Sequence, residues 1–268
     1  VLRKVRRWAA QVGEVRISED PHNPLLTVQL SDVDVGPILE SVQSADTPGA
    51  RQVKVRELLF ARLEIEDDGS MFYHRDFTWR QTRRSFDLSY LNIREAKDEA
   101  LRGGPQTWKI LIDYPFDAEG HTPADDHARL EKFQKAVPEG TKTVTWIPWF
   151  FTASAQSDLG KLVRLDHLLA GERFDRAAQQ IAPAQRAAAR SNLESQRSAL
   201  RQHMIQVLES AYGIVPLIEG KIDRTLNVLS NLDSLAPGFE PRPPLGADLK
   251  AAFESILEQI LEYQYPAH

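Results

Sequence analysis

The chain has 268 residues, 42% of them hydrophobic and 26% charged, with a formal net charge of −5. This composition excludes a collagen-like, disordered or disulfide-stapled chain, and no apolar run approaches the roughly 20 residues that cross a bilayer. With no cysteine, disulfides, thiolate nucleophiles and zinc–thiolate sites are excluded as well. The acidic balance gives no overall pull toward nucleic acid, so any such contact must be local.

Val1 leads at once into Leu2-Arg3-Lys4-Val5-Arg6-Arg7-Trp8, a basic start without the apolar core of a signal peptide. Because no initiator Met precedes Val1, an excised segment of a longer polypeptide is expected, with a processed N-terminus or an omitted residue as the alternative. A helix is expected from Leu2 to about Val12, ended by Gly13. Glu14 to Ile17 and Leu25 to Leu30 are β-like, separated by the turn cluster Asp20-Pro21-His22-Asn23-Pro24. A helix from Asp34 to Ser44 follows. After Thr47-Pro48-Gly49 comes a third helix through Val53, Leu58, Leu59, Ala61 and Leu63. Asp67-Asp68-Gly69 reads as a hairpin-type turn before two strands, Met71 to Arg80 and Ser85 to Leu91. These parts predict a winged-helix-like module over residues 1–91.

Residues 92–181 predict an α/β module. Ile93 to Leu101 reads as a short helix, closed by Gly103-Gly104-Pro105. Trp108-Lys109-Ile110-Leu111-Ile112 is a strand buried on both faces. A loop from Asp113 to His121 leads to a helix from about Pro123 to Val137. Thr122 at its N-cap, Pro123 at N1 and Asp125 at N3 mark its start. A second buried strand, Thr143 to Ile147, makes a parallel βαβ unit, and a helix through Leu159, Leu162, Val163 and Leu165 follows. Residues 182–268 predict a helical region. A long helix from Pro183 to Tyr212 is stopped by Gly213, with an apolar stripe in its second half only: Leu193, Leu200, Met204, Val207, Leu208 and Ala211. A Pro-rich linker, Pro237 to Pro244, leads to a last helix with Leu249, Phe253, Ile256, Ile260 and Tyr263 at helical spacing. The fold class expected is thus mixed α/β: a winged-helix-like start, a central βαβ unit and a helical end.

Three groups of residues carry potential chemistry. Asp113 ends a buried parallel strand, where open α/β sheets place functional groups. Around it lie Asp117, Glu119, His121, Asp125, Asp126 and His127, an oxygen-rich set of the kind that holds magnesium for phosphodiester cleavage. The competing reading makes these carboxylates caps and loop-ordering groups: Asp125 starts a helix, Asp126 suits the helix dipole, and His127 is expected in solvent. No Gly-x-x-x-x-Gly-Lys-Ser/Thr loop occurs in the chain, and no Gly-x-Ser-x-Gly elbow supports serine catalysis.

The second group is basic and aromatic. Tyr73, Arg75, Phe77 and Trp79 share one face of a ribbon by strand alternation. Arg80, Arg83 and Arg84 near its turn, with Lys54, Arg56 and Arg62 on the preceding helix, form a candidate nucleic-acid or partner surface. The alternative is that the aromatics are core and the arginines pair with neighbouring Asp and Glu, and it is the weightier of the two. The third group is Arg186, Arg190, Arg197 and Arg201, spaced four, seven and four apart and so within roughly 60° of helical arc. Such a row meets an acidic partner or a phosphate backbone, or simply solvates a long helix.

Two stretches carry a family resemblance: Trp79-Arg80-Gln81-Thr82-Arg83-Arg84, and Asp113-Tyr114-Pro115-Phe116-Asp117-Ala118-Glu119-Gly120-His121-Thr122-Pro123-Ala124-Asp125-Asp126. The text resembles the interior of the very large P-loop ATPases of bacterial phage-resistance systems, the PglY/BrxC-type proteins of phage growth limitation and BREX loci. The likeness extends through Leu159 to Phe174 and the Arg-rich helix. It implies a cytoplasmic protein that acts with a methyltransferase, a phosphatase-like protein and other system members to block phage DNA replication. ATP and magnesium would belong to the parent protein at a site outside this segment, and no catalytic residue or cofactor is carried over. The expectation is a non-catalytic module that contacts DNA or another system protein, without membrane contact. The alternatives are a metal-dependent phosphodiesterase centred on Asp113, and a structural spacer relaying ATPase movements.

Overall fold

A computed structural model of the chain describes residues 15–17, 26–28, 33–70, 72–223, 230–244 and 246–266. The helix expected over Leu2 to Val12 lies outside them. The chain divides into two units, one drawn from Val1–Val55 and Ser154–Gln206, the other from Arg56–Ala153 and Val207–His268.

The second unit holds the sheet. Strands β3 (Tyr73–Trp79), β4 (Thr82–Tyr90), β5 (Trp108–Ile112), β6 (Thr143–Trp146) and β7 (Leu232–Ser234) form it in that order. Strands β4, β5 and β6 run parallel, and β3 and β7 are antiparallel edges. Strand β5 is buried along its whole length, as its unbroken apolar run requires between two covered faces. Helix α4 (Pro123–Ala136) is the crossover between β5 and β6. Leu130 and Phe133 on α4 pack with Leu111, Ile147, Ile93 and Leu235 as the core of one face. On the other face, Trp146 meets Tyr212 edge-on at 5.1 Å and stacks on Phe253 at 6.5 Å. Phe253 belongs to α8 (Leu249–Gln264), whose N-cap Asp248 accepts from the Ala251 amide.

The βαβ unit is therefore as expected, and the ribbon expected in the N-terminal module joins its sheet. Seven residues of β3 pair with β4, and β4 continues as a parallel partner of β5. The two strands are the edge of the central sheet rather than part of a separate N-terminal module. The ribbon reverses at Arg80 and Gln81, with φ of 45° and 64°, a two-residue loop of the type that matches strand twist. The expected helix over Ile93 to Leu101 is only α3 (Asp98–Leu101), because Ile93 and Arg94 direct their amides to Asp113 and Asp126. The Pro-rich stretch is not a free linker. Phe239 is buried 5.5 Å from Trp108, and Arg242 N–H donates to Gln259.

The first unit is mainly helical. It contains the short strands β1 (Val15–Ile17) and β2 (Leu26–Val28), paired antiparallel. The helix expected over Asp34 to Ser44 is α1 (Gly36–Glu40) plus a 3-10 turn, Gln43–Ala45. The start of α2 (Pro48–Leu63), α5 (Ala153–Leu169), α6 (Arg173–Ala177) and most of α7 (Pro183–Ala211) complete it. Its core takes Leu159, Leu162 and Leu165 from α5, with Leu193, Leu200 and Met204 from α7. The first half of α7 also buries Ala189, Asn192 and Gln196, the last donating to Asn192 at 2.9 Å. A polar pair satisfied within the helix can face a core, so burial extends beyond the apolar stripe. At Gly160 a Cβ would lie 2.1 Å from Asp46 Oδ2, so α5 passes this carboxylate at a distance only glycine permits.

Candidate functional site

The best-defined polar cluster lies where the sequence placed it, beyond the carboxyl end of β5. The backbone sets Asp113 there: its amide donates to Trp146 O at 3.0 Å and extends the sheet by one residue. The side chain then turns inward and is 2% exposed. Its Oδ1 accepts the amides of Ile93 at 3.0 Å and Tyr114 at 2.8 Å. Asp126, on the first turn of α4, is also 2% exposed, and its Oδ1 accepts the Arg94 amide at 3.0 Å. Both Oδ2 atoms are buried without a donor from the rest of the described residues, and the two carboxyls lie within hydrogen-bonding reach of each other. Two ionised carboxylates so placed would repel, so a proton is held between them. Burial, and next the Asp126 charge, push the Asp113 carboxyl well above the ordinary range despite the two amides. Burial lifts Asp126 to about 6, against the Arg94 amide and the hydrogen bond with Asp113. Burial thus raises both carboxyls, Asp113 the more strongly, and the shared proton belongs to the pair.

Asp117 is built differently. Partial burial raises its pKa, but hydrogen bonds from Arg94 at 2.6 and 3.1 Å outweigh this and hold it at about 2. The Ala118 amide adds a third at 2.7 Å. His121 sits 3.6 Å from Asp125, whose carboxylate accepts the Thr122 amide at 2.8 Å in the capping box expected at this helix start. His127 is half-buried rather than free in solvent. Its Nδ1 lies 2.5 Å from Asp233 on β7. Tyr212 closes the cluster from the end of α7, donating to Asp113 O at 2.6 Å. Among the described residues, no three His, Asp or Glu side chains converge as a metal-ligand set. The oxygens that such a set would need face amides, Arg94 and each other.

The sequence found Asp113 and Asp117 but missed Arg94 and Tyr212, and it gave Asp126 to the helix dipole. One signal was present. Asp126 is in register with Leu130, Phe133 and Val137, the buried face of α4, so its carboxyl had to enter the core. Nothing local marks Arg94 or Tyr212, which arrive from 23 and 99 residues away.

The basic candidates are mostly engaged. Lys54 pairs with Asp166 at 2.7 Å, and Arg56 with Asp67 at 2.9 Å. Burial pushes the Glu209 carboxyl up, and nearby Arg62 only partly offsets this. Arg75 donates to Glu64 O, Arg83 pairs with Asp76, and Arg84 donates to Tyr265 Oη at 3.0 Å while lying over its ring. Arg80 is exposed at the ribbon turn, 4.5 Å over Trp79. On α7, Arg186 donates to Ile181 O and Gln179 O. Arg190 pairs with Glu194, Arg197 lies 3.9 Å from Asp166, and Arg201 is half-buried. The ribbon alternates as expected, with Tyr73 and Trp79 buried and His74, Asp76 and Thr78 exposed.

Among the described residues, no helix is long and apolar enough to cross a membrane. No solved structure matches the chain. The family model described as PglY fourth domain matches residues 38–265. That span takes in both units and the whole Asp113 cluster, so the chain belongs to the PglY family and is a segment of a Pgl/BREX-type phage-defence protein.

Proposed function

We propose that this segment is a non-catalytic, partner-binding module of a large cytoplasmic phage-defence ATPase, and that nucleotide hydrolysis with magnesium takes place elsewhere in the parent protein. One observation carries the reading. The position where an α/β sheet presents reactive groups is filled by a carboxyl pair whose oxygens order Ile93, Arg94 and Tyr114. Two carboxyls each 2% exposed and bonded to loop amides are suited to positioning those loops. A protein partner is favoured over DNA because Lys54, Arg56, Arg83 and Arg197 face carboxylates of this chain, which cancels much of the charge that phosphates would need.

The test is made in the parent protein. Asp113→Asn should keep both ATP hydrolysis and protection against phage, because an amide can make the same hydrogen bonds. Loss of protection in a folded Asp113→Asn protein would make the carboxyl chemically active and overturn the reading. Charge reversal at Arg80, Arg83 and Arg84 should weaken association with the methyltransferase or phosphatase-like component. Loss of salt-dependent duplex binding instead would identify DNA as the partner.

A further inference from the structure

The parallel strands have a second end, and that end is open. Around the amino ends of β5 and β6 lies a pocket of ≈ 770 Å³, within the range of small-molecule sites. It is bounded by the loops that precede the two strands, by Ala236 and Pro237 after β7, and by the end of α8. The walls are held in close backbone contact. A Cβ on Gly103 would lie 2.3 Å from Lys142 O, and one on Gly140, at φ +70°, would lie 2.3 Å from Pro237 Cδ.

One side of the pocket is aromatic. Tyr263 is 41% exposed, and its ring packs 6.0 Å from Trp108 and 4.9 Å from Phe239. Its hydroxyl donates to Pro237 O at 2.8 Å, and Trp108 Nε1 donates to Gln264 at 2.7 Å, so both rings are fixed. Two cations line the same space, Arg102 and Lys142. Arg102 lies 5.6 Å over Phe133, and the Lys142 backbone is tied to β5 through Lys109 N–H. Among the described residues neither cation has a carboxylate within ion-pair distance, unlike Lys54, Arg56 and Arg83. Glu139 completes the polar lining.

We propose that this pocket binds a nucleoside phosphate, its base against Tyr263 and its phosphate between Arg102 and Lys142. A fixed aromatic face stacks any base, an arginine and a lysine suit phosphate oxygens, and a carboxylate accepts from a ribose hydroxyl. A small inorganic anion would leave the ring unused, and an uncharged aromatic would leave the cations unused. The same chemistry is offered by a free nucleotide and by the terminal nucleotide of a single strand.

Calorimetric titration of the 268-residue chain with AMP, adenosine, inorganic phosphate and a 5′-phosphorylated oligonucleotide tests the proposal. AMP should bind at least about tenfold more tightly than adenosine or phosphate. Arg102→Glu with Lys142→Glu should weaken AMP about tenfold or more, and Tyr263→Leu should weaken AMP without changing phosphate. The milder Arg102→Gln should lie between, and Lys135→Glu, outside the pocket, should change nothing. An oligonucleotide that binds more tightly than AMP identifies a strand end, and one that binds no more tightly identifies the free nucleotide; both support the site. AMP binding no more tightly than phosphate or adenosine, or unaltered AMP affinity in the folded charge-reversed protein, overturns it. Neither failure touches the reading of Asp113, at the other end of the strands.

Discussion

Replacing Asp113 by alanine and by asparagine separates a positioning carboxyl from a reactive one. Alanine strands two amides, those of Ile93 and Tyr114, which now donate at 3.0 and 2.8 Å. Ile93 is fully buried, so water does not replace the lost acceptor. Each stranded buried donor costs about 1–3 kcal/mol, and the pair should lower stability by about 3 kcal/mol. Asparagine keeps both amides on its oxygen and donates to Asp126 from its nitrogen, so it should stay within about 1 kcal/mol of the parent near pH 5. The pH dependence gives the sign. Asp113 is raised above its unfolded value of 3.8, so the folded chain holds a proton that the unfolded chain has released. That contribution is complete below pH 3.8 and is lost as pH rises toward the folded pKa, by up to about 1.4 kcal/mol per pH unit. Asp113→Asn lacks this loss and should stand further ahead of the parent at pH 8 than at pH 5. Urea unfolding at both pH values measures it. An alanine variant as stable as the parent, an asparagine variant as damaged as alanine, or parallel pH profiles for parent and asparagine would refute the assignment.

Other outcomes follow from single contacts. Arg94→Met should cost about 2 kcal/mol at neutral pH, since two charge-assisted bonds to Asp117 disappear. That penalty should shrink in acid as pH falls below 3.8 toward about 2, where Asp117 itself protonates; urea midpoints across that range check both. Gly160→Ala should destabilise by about 1–3 kcal/mol by thermal melting, although alanine ordinarily stabilises a helix interior, because its Cβ would meet Asp46 Oδ2. Gln81→Gly should stabilise by about 0.5–1 kcal/mol in the same assay, since Gln81 holds a φ of 64°.

Much of the central α/β unit is legible in the sequence because its signals are local. An unbroken apolar run gives β5, Thr122 to Asp125 gives the start of α4, and Gly213, at φ +80°, closes the region of α7. The ribbon turn was not legible, because Arg80-Gln81 has neither Gly nor Asn at its left-handed positions. Its absorption into the sheet was hidden too, since the pairing of Phe86 with Trp108 joins residues whose intervening sequence says nothing of register. In the candidate site, Asp113 was visible from its place after a strand. Its meaning was not, because it depends on Asp126, Arg94 and Tyr212 converging from separate elements. The arginines show the same limit: their spacing is local, but Asp166, which meets both Lys54 and Arg197, lies on another helix.

The proton shared by Asp113 and Asp126 is what most directly separates a positioning pair from a reactive one. Carbon-13 NMR of aspartate carboxyl carbons, assigned through Asp113→Asn and Asp126→Asn and followed from pH 3 to pH 8, reads it. Asp113 should release its proton well above the ordinary aspartate range and Asp126 near 6, while Asp117 remains ionised down to pH 3. An Asp113 carboxyl that titrates near 4, or whose resonance moves on adding magnesium, would contradict the account and return the site to chemistry.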